Sequence, residues 1–218
     1  LVTACTKLAI DNLLKKIVDL RDCAGLSDSC SVFSMDNDCS NQIEAFRSKK
    51  TDQRNAVFSD DRRFVIGATC YACGGSILLP FHGKFDLLLV DEGSQLRQNE
   101  FAVATSLLNS TSPAWRIVVV GDHLQMPPIV HNEYPVDIDG GMTPGVHMSV
   151  LDFFRFRSDE KGGLCMLLKD NHRMNAELCA FTRCTLGYSG YHICEDGGCS
   201  CRLGRSSHTF GPLRAPSH

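Results

Sequence analysis

The strongest constraint on the fold is a short apolar run that ends in two acids. Residues 87–90 read Leu-Leu-Leu-Val, and Asp91 and Glu92 follow them directly. An apolar run without polar alternation is typical of a strand buried on both faces, as in the parallel sheets of α/β proteins. Ligands bind such sheets at the carboxyl ends of the strands, so the pattern predicts both carboxylates at that edge. A strand that simply meets solvent at an acidic turn would give the same pattern.

A second run repeats this arrangement. Residues 117–120 read Ile-Val-Val-Val, and Gly121, Asp122 and Gln125 come after them. Glycine lets the backbone turn tightly beside a ligand, and an amide such as that of Gln125 can orient a phosphate oxygen or a water. At the first strand end, an Asp can hold Mg²⁺ and the Glu beside it can polarise an attacking water. Two such strand ends favour a nucleotide-hydrolysing sheet over an acidic turn.

The remaining periodicity predicts an α/β domain. We expect strands at 1–4, 56–58, 64–66, 85–90, 117–120 and 164–168. Apolar stripes at helical spacing predict helices over 7–20, 70–79, 99–108, 147–156 and 175–184. We expect residues 21–52 to be a polar loop or insertion with a short helix near 43–46, and residues 127–146 to be a long exposed loop.

Composition excludes several classes of protein. No apolar run approaches the roughly 18 residues of a membrane-spanning helix. The start of the chain carries charges where a signal peptide would be apolar, so we expect a cytoplasmic or nuclear protein. The net charge is −3, and residues 64–160 hold eleven acidic side chains against five basic ones. A broadly basic face for nucleic acid is therefore excluded.

Five segments, in order, resemble motifs of superfamily 1 helicases, closest to the branch of the nonsense-mediated-decay and replication-nuclease helicases. Asp91-Glu92-Gly93-Ser94-Gln95 is similar to the Walker B motif, which usually reads Asp-Glu-Ala-Ser-Gln. The other four are residues 1–13 (motif Ia, with Lys7 where Asn is usual), 65–70 (motif Ic), 121–128 (motif III) and 171–175 (the motif that opens the second half, with His172 in place of Tyr or Phe).

This resemblance implies a RecA-like parallel sheet flanked by helices, with ATP and Mg²⁺ as cofactors. It implies that Asp91 binds Mg²⁺ and that Glu92 is the catalytic base. Gly121, Asp122 and Gln125 would bind the nucleotide, and Gln125 would also sense the γ-phosphate during catalysis. Arg173 would bind the nucleotide as an arginine finger that stabilises charge on the transferring phosphoryl group.

The resemblance also implies single-stranded RNA or DNA as the partner. The matching residues for the nucleic-acid backbone are Thr3, Thr6, Gly67 and Thr69. A hydroxyl and a glycine amide suit phosphate contacts that do not depend on base sequence. His172 would stack on a base or be an ordinary surface histidine.

The sequence contains no Walker A loop, which needs Gly-x-x-x-x-Gly-Lys-Ser/Thr to hold phosphates. Its only Gly-Lys pair, Gly83-Lys84, is followed by Phe85. We therefore expect the distal part of a first RecA-like lobe over 1–160, the start of a second lobe over 161–196 and a flexible tail over 197–218. Such a chain would be a helicase fragment, incomplete at both ends and inactive alone.

Two alternatives stay open. One is a non-enzymatic truncated remnant. The other is a Cys-rich zinc-binding or interaction module, since Cys70-x-x-Cys73 has the spacing of a zinc knuckle and Cys199-x-Cys201 could add ligands. The chain has twelve cysteines in 218 residues, which is below the density of a disulfide scaffold, so we expect reduced thiols.

Overall fold

The computed structural model of the chain describes residues 1–36, 43–45, 63–130, 147–161, 165–168, 170–186 and 192–193. The chain divides into two compact units, Leu1–Cys165 and Met166–His218. Among the described residues, no helix is both long and apolar enough to cross a membrane.

The first unit contains a six-stranded sheet in which every pair of neighbouring strands is parallel. The strand order is β3-β2-β4-β1-β5-β6. The first strand of the chain therefore lies inside the sheet, with Val2 opposite both Gly67 and Leu89. The strands are β1 (Val2–Thr3), β2 (Cys30–Ser34), β3 (Glu44–Ala45), β4 (Arg63–Gly67), β5 (Leu87–Val90) and β6 (Arg116–Val119).

Helices cover both faces of this sheet. Helix α1 (Lys7–Cys23) packs on one face through Ile10, Leu14 and Val18, which recur at helical spacing and are all buried. The opposite face is covered by α2 (Cys70–Cys73), a 3₁₀ turn (Leu79–Phe81), α3 (Gln98–Thr105) and α4 (Val150–Lys161). The fold is an α/β sheet of the RecA-like class, as the sequence predicted.

Helix α1 approaches β4 closely at Gly67. A Cβ atom built on Gly67 would lie 2.5 Å from Cδ1 of Leu14 and 2.7 Å from Cγ2 of Ile10. Because real Cβ atoms do not approach other carbons so closely, only glycine fits at this point without displacing the helix. This contact fixes the start of α1 against the carboxyl end of β4.

The face under α1 is covered only in part. Residues alternate between the two faces along a strand, so Leu87 and Leu89 of β5 point to the α1 side, as do Val118 and Val120 in and after β6. Leu87, Val118 and Val120 are 41%, 44% and 49% exposed. Strand β6 pairs only with β5, so its other edge carries no strand among the described residues.

The second unit is small. Its described elements are β7 (Asp170–Asn171), α5 (Ala176–Thr185) and β8 (His192–Ile193), and the two strands pair in parallel. Asn175 caps α5 by accepting a 2.9 Å hydrogen bond from the backbone nitrogen of Leu178.

The structure corrects several predictions of local structure. Residues 30–34 form β2 although we predicted a loop, and residues 44–45 form β3 where we predicted a helix. The helix predicted over 70–79 is a single turn at 70–73, followed by the 3₁₀ turn. Residues 165–168 form no strand and are exposed. The strand predicted at 56–58 and the tail at 197–218 lie outside the described residues.

Candidate functional site

The carboxyl ends of β5 and β6 lie side by side, as the sequence predicted. Val90 is opposite Val119, and the backbone nitrogen of Val120 donates a 2.8 Å hydrogen bond to the carbonyl oxygen of Val90. Beyond the strand ends, the nitrogen of Gly93 donates a 2.8 Å hydrogen bond to the carbonyl oxygen of Val120. The segment after β5 is therefore attached directly to the segment after β6.

Two glycines make this attachment close. A Cβ atom on Gly93 would lie 2.5 Å from Cγ1 of Val119, and one on Gly121 would lie 3.0 Å from the nitrogens of Gly93 and Ser94. The segments touch backbone to backbone, which requires a residue without a side chain on each side. Gly93 stands where the helicase motif usually has Ala, and the structure gives the reason in this chain.

Glu92 has a backbone conformation that is rare for its residue type. Its φ is 53°, the only positive value at a non-glycine residue among those described. Its nitrogen donates a 3.0 Å hydrogen bond to Oδ1 of Asp91, and its carbonyl accepts one of 2.9 Å from the nitrogen of Gln95. The left-handed conformation costs about 1–2 kcal/mol for a residue with a Cβ. Strain of this kind concentrates at functional sites.

After β6, Asp122 and Gln125 form a closed turn. Oδ1 of Asp122 accepts a 3.0 Å hydrogen bond from the nitrogen of Leu124, and Oδ2 accepts one of 3.1 Å from Nε2 of Gln125. Gln125 is exposed, and Asp122 is half-buried. Both residues therefore lie at the strand edge predicted for them, and the amide of Gln125 is held by the Asp122 carboxylate.

Sequence reasoning missed Ser94. This residue is 2% exposed, and its hydroxyl is the one buried side-chain oxygen or nitrogen without a hydrogen-bond partner among the described residues. Burying a hydroxyl without a partner costs free energy. Ser94 lies in the same turn as Glu92. No signal in the sequence distinguishes it from a serine whose hydroxyl has a hydrogen-bond partner.

The turn after β5 is also held by α4. The nitrogen of Val150 donates a 2.8 Å hydrogen bond to the carbonyl oxygen of Leu96, and the nitrogen of Leu151 donates one of 3.1 Å to that of Gly93. The first backbone N–H groups of a helix have no partner within it. Here the turn that carries the predicted catalytic base supplies partners for two of them.

The four residues predicted to contact nucleic acid are placed differently from one another. Gly67 and Thr69 line one small cavity. Thr6 is exposed and caps α1, since its hydroxyl accepts a 3.2 Å hydrogen bond from the nitrogen of Ala9. Thr3 is fully buried, and its Oγ1 lies 3.4 Å from Sγ of Cys70. The Thr3 hydroxyl is thus occupied inside the first unit.

Arg173 belongs to the second unit. Its side chain is exposed, and its backbone nitrogen donates a 2.9 Å hydrogen bond to Oδ1 of Asn171, as does that of Met174. His172 is exposed as well. The predicted carboxylates, Asp91 and Glu92, belong to the first unit. The role of Arg173 as an arginine finger therefore stays a prediction.

Three of the described cysteines favour the neutral thiol. Burial, together with the charge of Glu100, raises the pKa of Cys5 to about 11. Burial also raises the pKa of Cys73 to about 12 and that of Cys70 above its usual value. A metal ligand must be a thiolate, and no group of three His, Cys, Asp or Glu side chains in the described part could hold a metal. Cys199 and Cys201 lie outside that part.

Comparison with known proteins supports the nucleotide-binding interpretation in its general form. Residues 33–133 match the family model of an AAA domain. The match covers slightly less than half of the chain and includes Asp91, Glu92 and the turn with Gln125, but neither Thr3 nor Arg173. No curated protein matches the sequence.

Proposed function

We propose that this chain is part of the core of a helicase that couples ATP hydrolysis to movement along, or unwinding of, single-stranded RNA or DNA. The observation that carries the proposal is the strained turn at the end of β5. Glu92 is held at a φ of 53° beside Asp91, against the segment that contains Gln125. Strained backbone clusters at functional sites, which favours a functional turn over an acidic turn that only meets solvent.

The donor set fits Mg²⁺ bound together with a nucleotide. Magnesium is usually held by one or two carboxylates plus phosphate oxygens, not by an all-protein cage. Asp91 offers such a carboxylate, and the described residues contain no larger cluster of potential ligands. When bound, the ion would neutralise charge on the phosphates. This fit supports the AAA-domain interpretation and argues against a zinc module in the described part.

Each residue then has one task. Asp91 would hold the metal, and Glu92 would accept a proton from the attacking water. Gln125 contacts the γ-phosphate through its side-chain amide, which first has to leave Asp122. Gly121 lets the backbone come close to the nucleotide, and Arg173 has the role that the resemblance implies for it, that of an arginine finger.

The single strand would lie at the ends of β1, β2 and β4. Thr6, Gly67 and Thr69 are at this edge, and they contribute a hydroxyl or a backbone amide to phosphate contacts. Thr3 contributes at most its backbone, because its hydroxyl is buried against Cys70.

Two measurements test this function. The 218-residue chain should bind a fluorescently labelled single-stranded oligonucleotide, with an affinity that falls as salt rises. In a polypeptide where a glycine-rich phosphate loop precedes Leu1, the Glu92→Gln variant should keep nucleotide binding while hydrolysis falls at least ~100-fold, the scale of a lost general base. Turnover near that of the unmodified protein would exclude Glu92 as the base. Absence of oligonucleotide binding would favour a non-enzymatic remnant.

A further inference from the structure

The first unit contains a small cavity between the start of α1 and the ends of β2 and β4. Ser34 and Asp36 come from the end of β2, Gly67 and Thr69 from the end of β4, and Lys7 is the first residue of α1. The volume is about 50 Å³. That is room for a group the size of a few water molecules, and it is too little for a nucleobase.

Lys7 provides the positive charge at this cavity. Its Nζ lies 3.2 Å from each carboxylate oxygen of Asp36, and its side chain is 70% exposed. An exposed ion pair is worth little, so another anion can take the place of Asp36 at small cost. The first turn of α1 contains no acidic residue, and the positive end of the helix dipole adds to the same field.

Ser34 provides a hydroxyl. The residue is 3% exposed, and its Oγ accepts a 3.1 Å hydrogen bond from the backbone nitrogen of Asp36. This bond uses the oxygen as an acceptor, and a serine hydroxyl can donate its hydrogen at the same time. A buried hydroxyl at a cavity beside a lysine is suited to an anionic oxygen.

We propose that this cavity holds one backbone phosphate of the single strand, with Lys7 as the charged contact and Ser34 as the hydrogen-bond donor. In the free protein the carboxylate of Asp36 is paired with Nζ of Lys7. The phosphate displaces this carboxylate from Lys7 when it enters the cavity. The inference rests on the proposed function and adds two contact residues and one competitor to it. Lys7, which replaces the Asn usual at this position of the helicase motif, gives this chain a charged contact that the usual residue lacks.

The test measures binding of a labelled oligouridine to the full chain by fluorescence anisotropy over a range of salt concentrations. Each phosphate contact on a single strand contributes about 0.7 to the slope of log affinity against log salt. Lys7→Asn should lower the slope by about that amount. If the plots of log affinity against log salt for the unmodified chain and for Lys7→Asn meet near 1 M salt, the variant binds about eightfold more weakly near 50 mM salt.

The chain offers a matched control on the same helix. Lys15 forms a comparable ion pair with Asp11, at 2.6 Å, and does not line the cavity. Lys15→Asn removes the same charge and should leave the slope unchanged. Asp36→Asn should strengthen binding by up to about fivefold, the upper end for loss of one exposed ion pair. Ser34→Ala should weaken binding several-fold without a change of slope, because the hydroxyl is neutral.

The outcomes are distinguishable. If the unmodified chain binds and Lys7→Asn behaves like Lys15→Asn, the phosphate site is wrong and the proposed function stands. If Asp36→Asn weakens binding, Asp36 positions Lys7 and the displacement is wrong. If the unmodified chain does not bind, both proposals fail. Thermal unfolding of each variant shows whether a change in binding reflects a change in folding.

Discussion

The backbone nitrogen of Gly93 donates a 2.8 Å hydrogen bond to the carbonyl oxygen of Val120. This bond joins the end of the strand that carries the predicted metal ligand and base to the end of the strand that carries the predicted γ-phosphate sensor. A displacement of one segment must therefore move the other or break the bond. The contact gives a physical route by which Gln125 and Glu92 can respond to the same ligand.

Replacing Gly93 by Ala should lower the free energy of unfolding by about 1–3 kcal/mol, the usual range for overpacking. The added methyl carbon would lie 2.5 Å from Cγ1 of Val119. Val119→Ala removes that atom, so the double variant should be more stable than the two separate losses imply. Val118→Ala, which changes the opposite face, should give no such rescue. Urea unfolding followed by the fluorescence of Trp115, the single tryptophan, measures the single variants and both double variants.

Replacing Glu92 by Gly should stabilise the chain by about 1 kcal/mol, because glycine adopts a φ of 53° without the Cβ penalty. Glu92→Gln keeps the Cβ and should unfold like the unmodified chain. Glu100→Gly, in helix α3, should be destabilising. A destabilised Glu92→Gly variant would show that the turn is not strained and would remove the main support for the proposed site.

Removal of two buried hydroxyls, those of Ser94 and Thr3, should have different effects on the free energy of unfolding. Ser94 has no hydrogen-bond partner, so Ser94→Ala should leave the stability of the free chain unchanged or raise it by up to about 1 kcal/mol. Thr3 is paired with Cys70, so Thr3→Val should cost about 1 kcal/mol. Equal losses in urea unfolding would mean that Ser94 also has a partner, such as a bound water.

The 218-residue chain should not hydrolyse ATP by itself. Hydrolysis needs a cradle of backbone amides with a lysine, a metal with its base, and an arginine finger. The sequence supplies candidates for the last two and none for the first. ATP binding should then be millimolar or weaker, no more than about 4 kcal/mol. Calorimetry and a phosphate-release assay measure this directly, and micromolar binding would reveal an unrecognised phosphate loop.

The sequence was most informative where apolar residues follow one another without interruption. Strands β4, β5 and β6 were predicted from such apolar runs, although no residue of β6 is fully buried. Strand β2 was missed because Val32 and Phe33 stand among Ser and Cys residues, and its burial comes from strands far away in the chain. The pattern of apolar residues within one segment contains no information about strands that are distant in the chain.

Of the candidate site, too, one part could be predicted from the sequence and another part could not. The order of residues was enough to predict that Asp91 and Gln125 lie at one sheet edge. The positive φ of Glu92 and the unpartnered hydroxyl of Ser94 are properties of the folded backbone and its packing. A residue type does not encode either, and only coordinates reveal them.

The position of β1 has a consequence for synthesis on the ribosome. Leu1 bonds to Leu87, 86 residues later, and β1 lies between β4 and β5. At about 5–20 residues per second, the first residues emerge roughly 4–17 s before their second neighbouring strand exists. During that interval β1 lacks at least one of its two neighbouring strands, and its apolar residues can bind chaperones. Slow translation of residues 1–90 would therefore harm folding more than the same delay later in the chain.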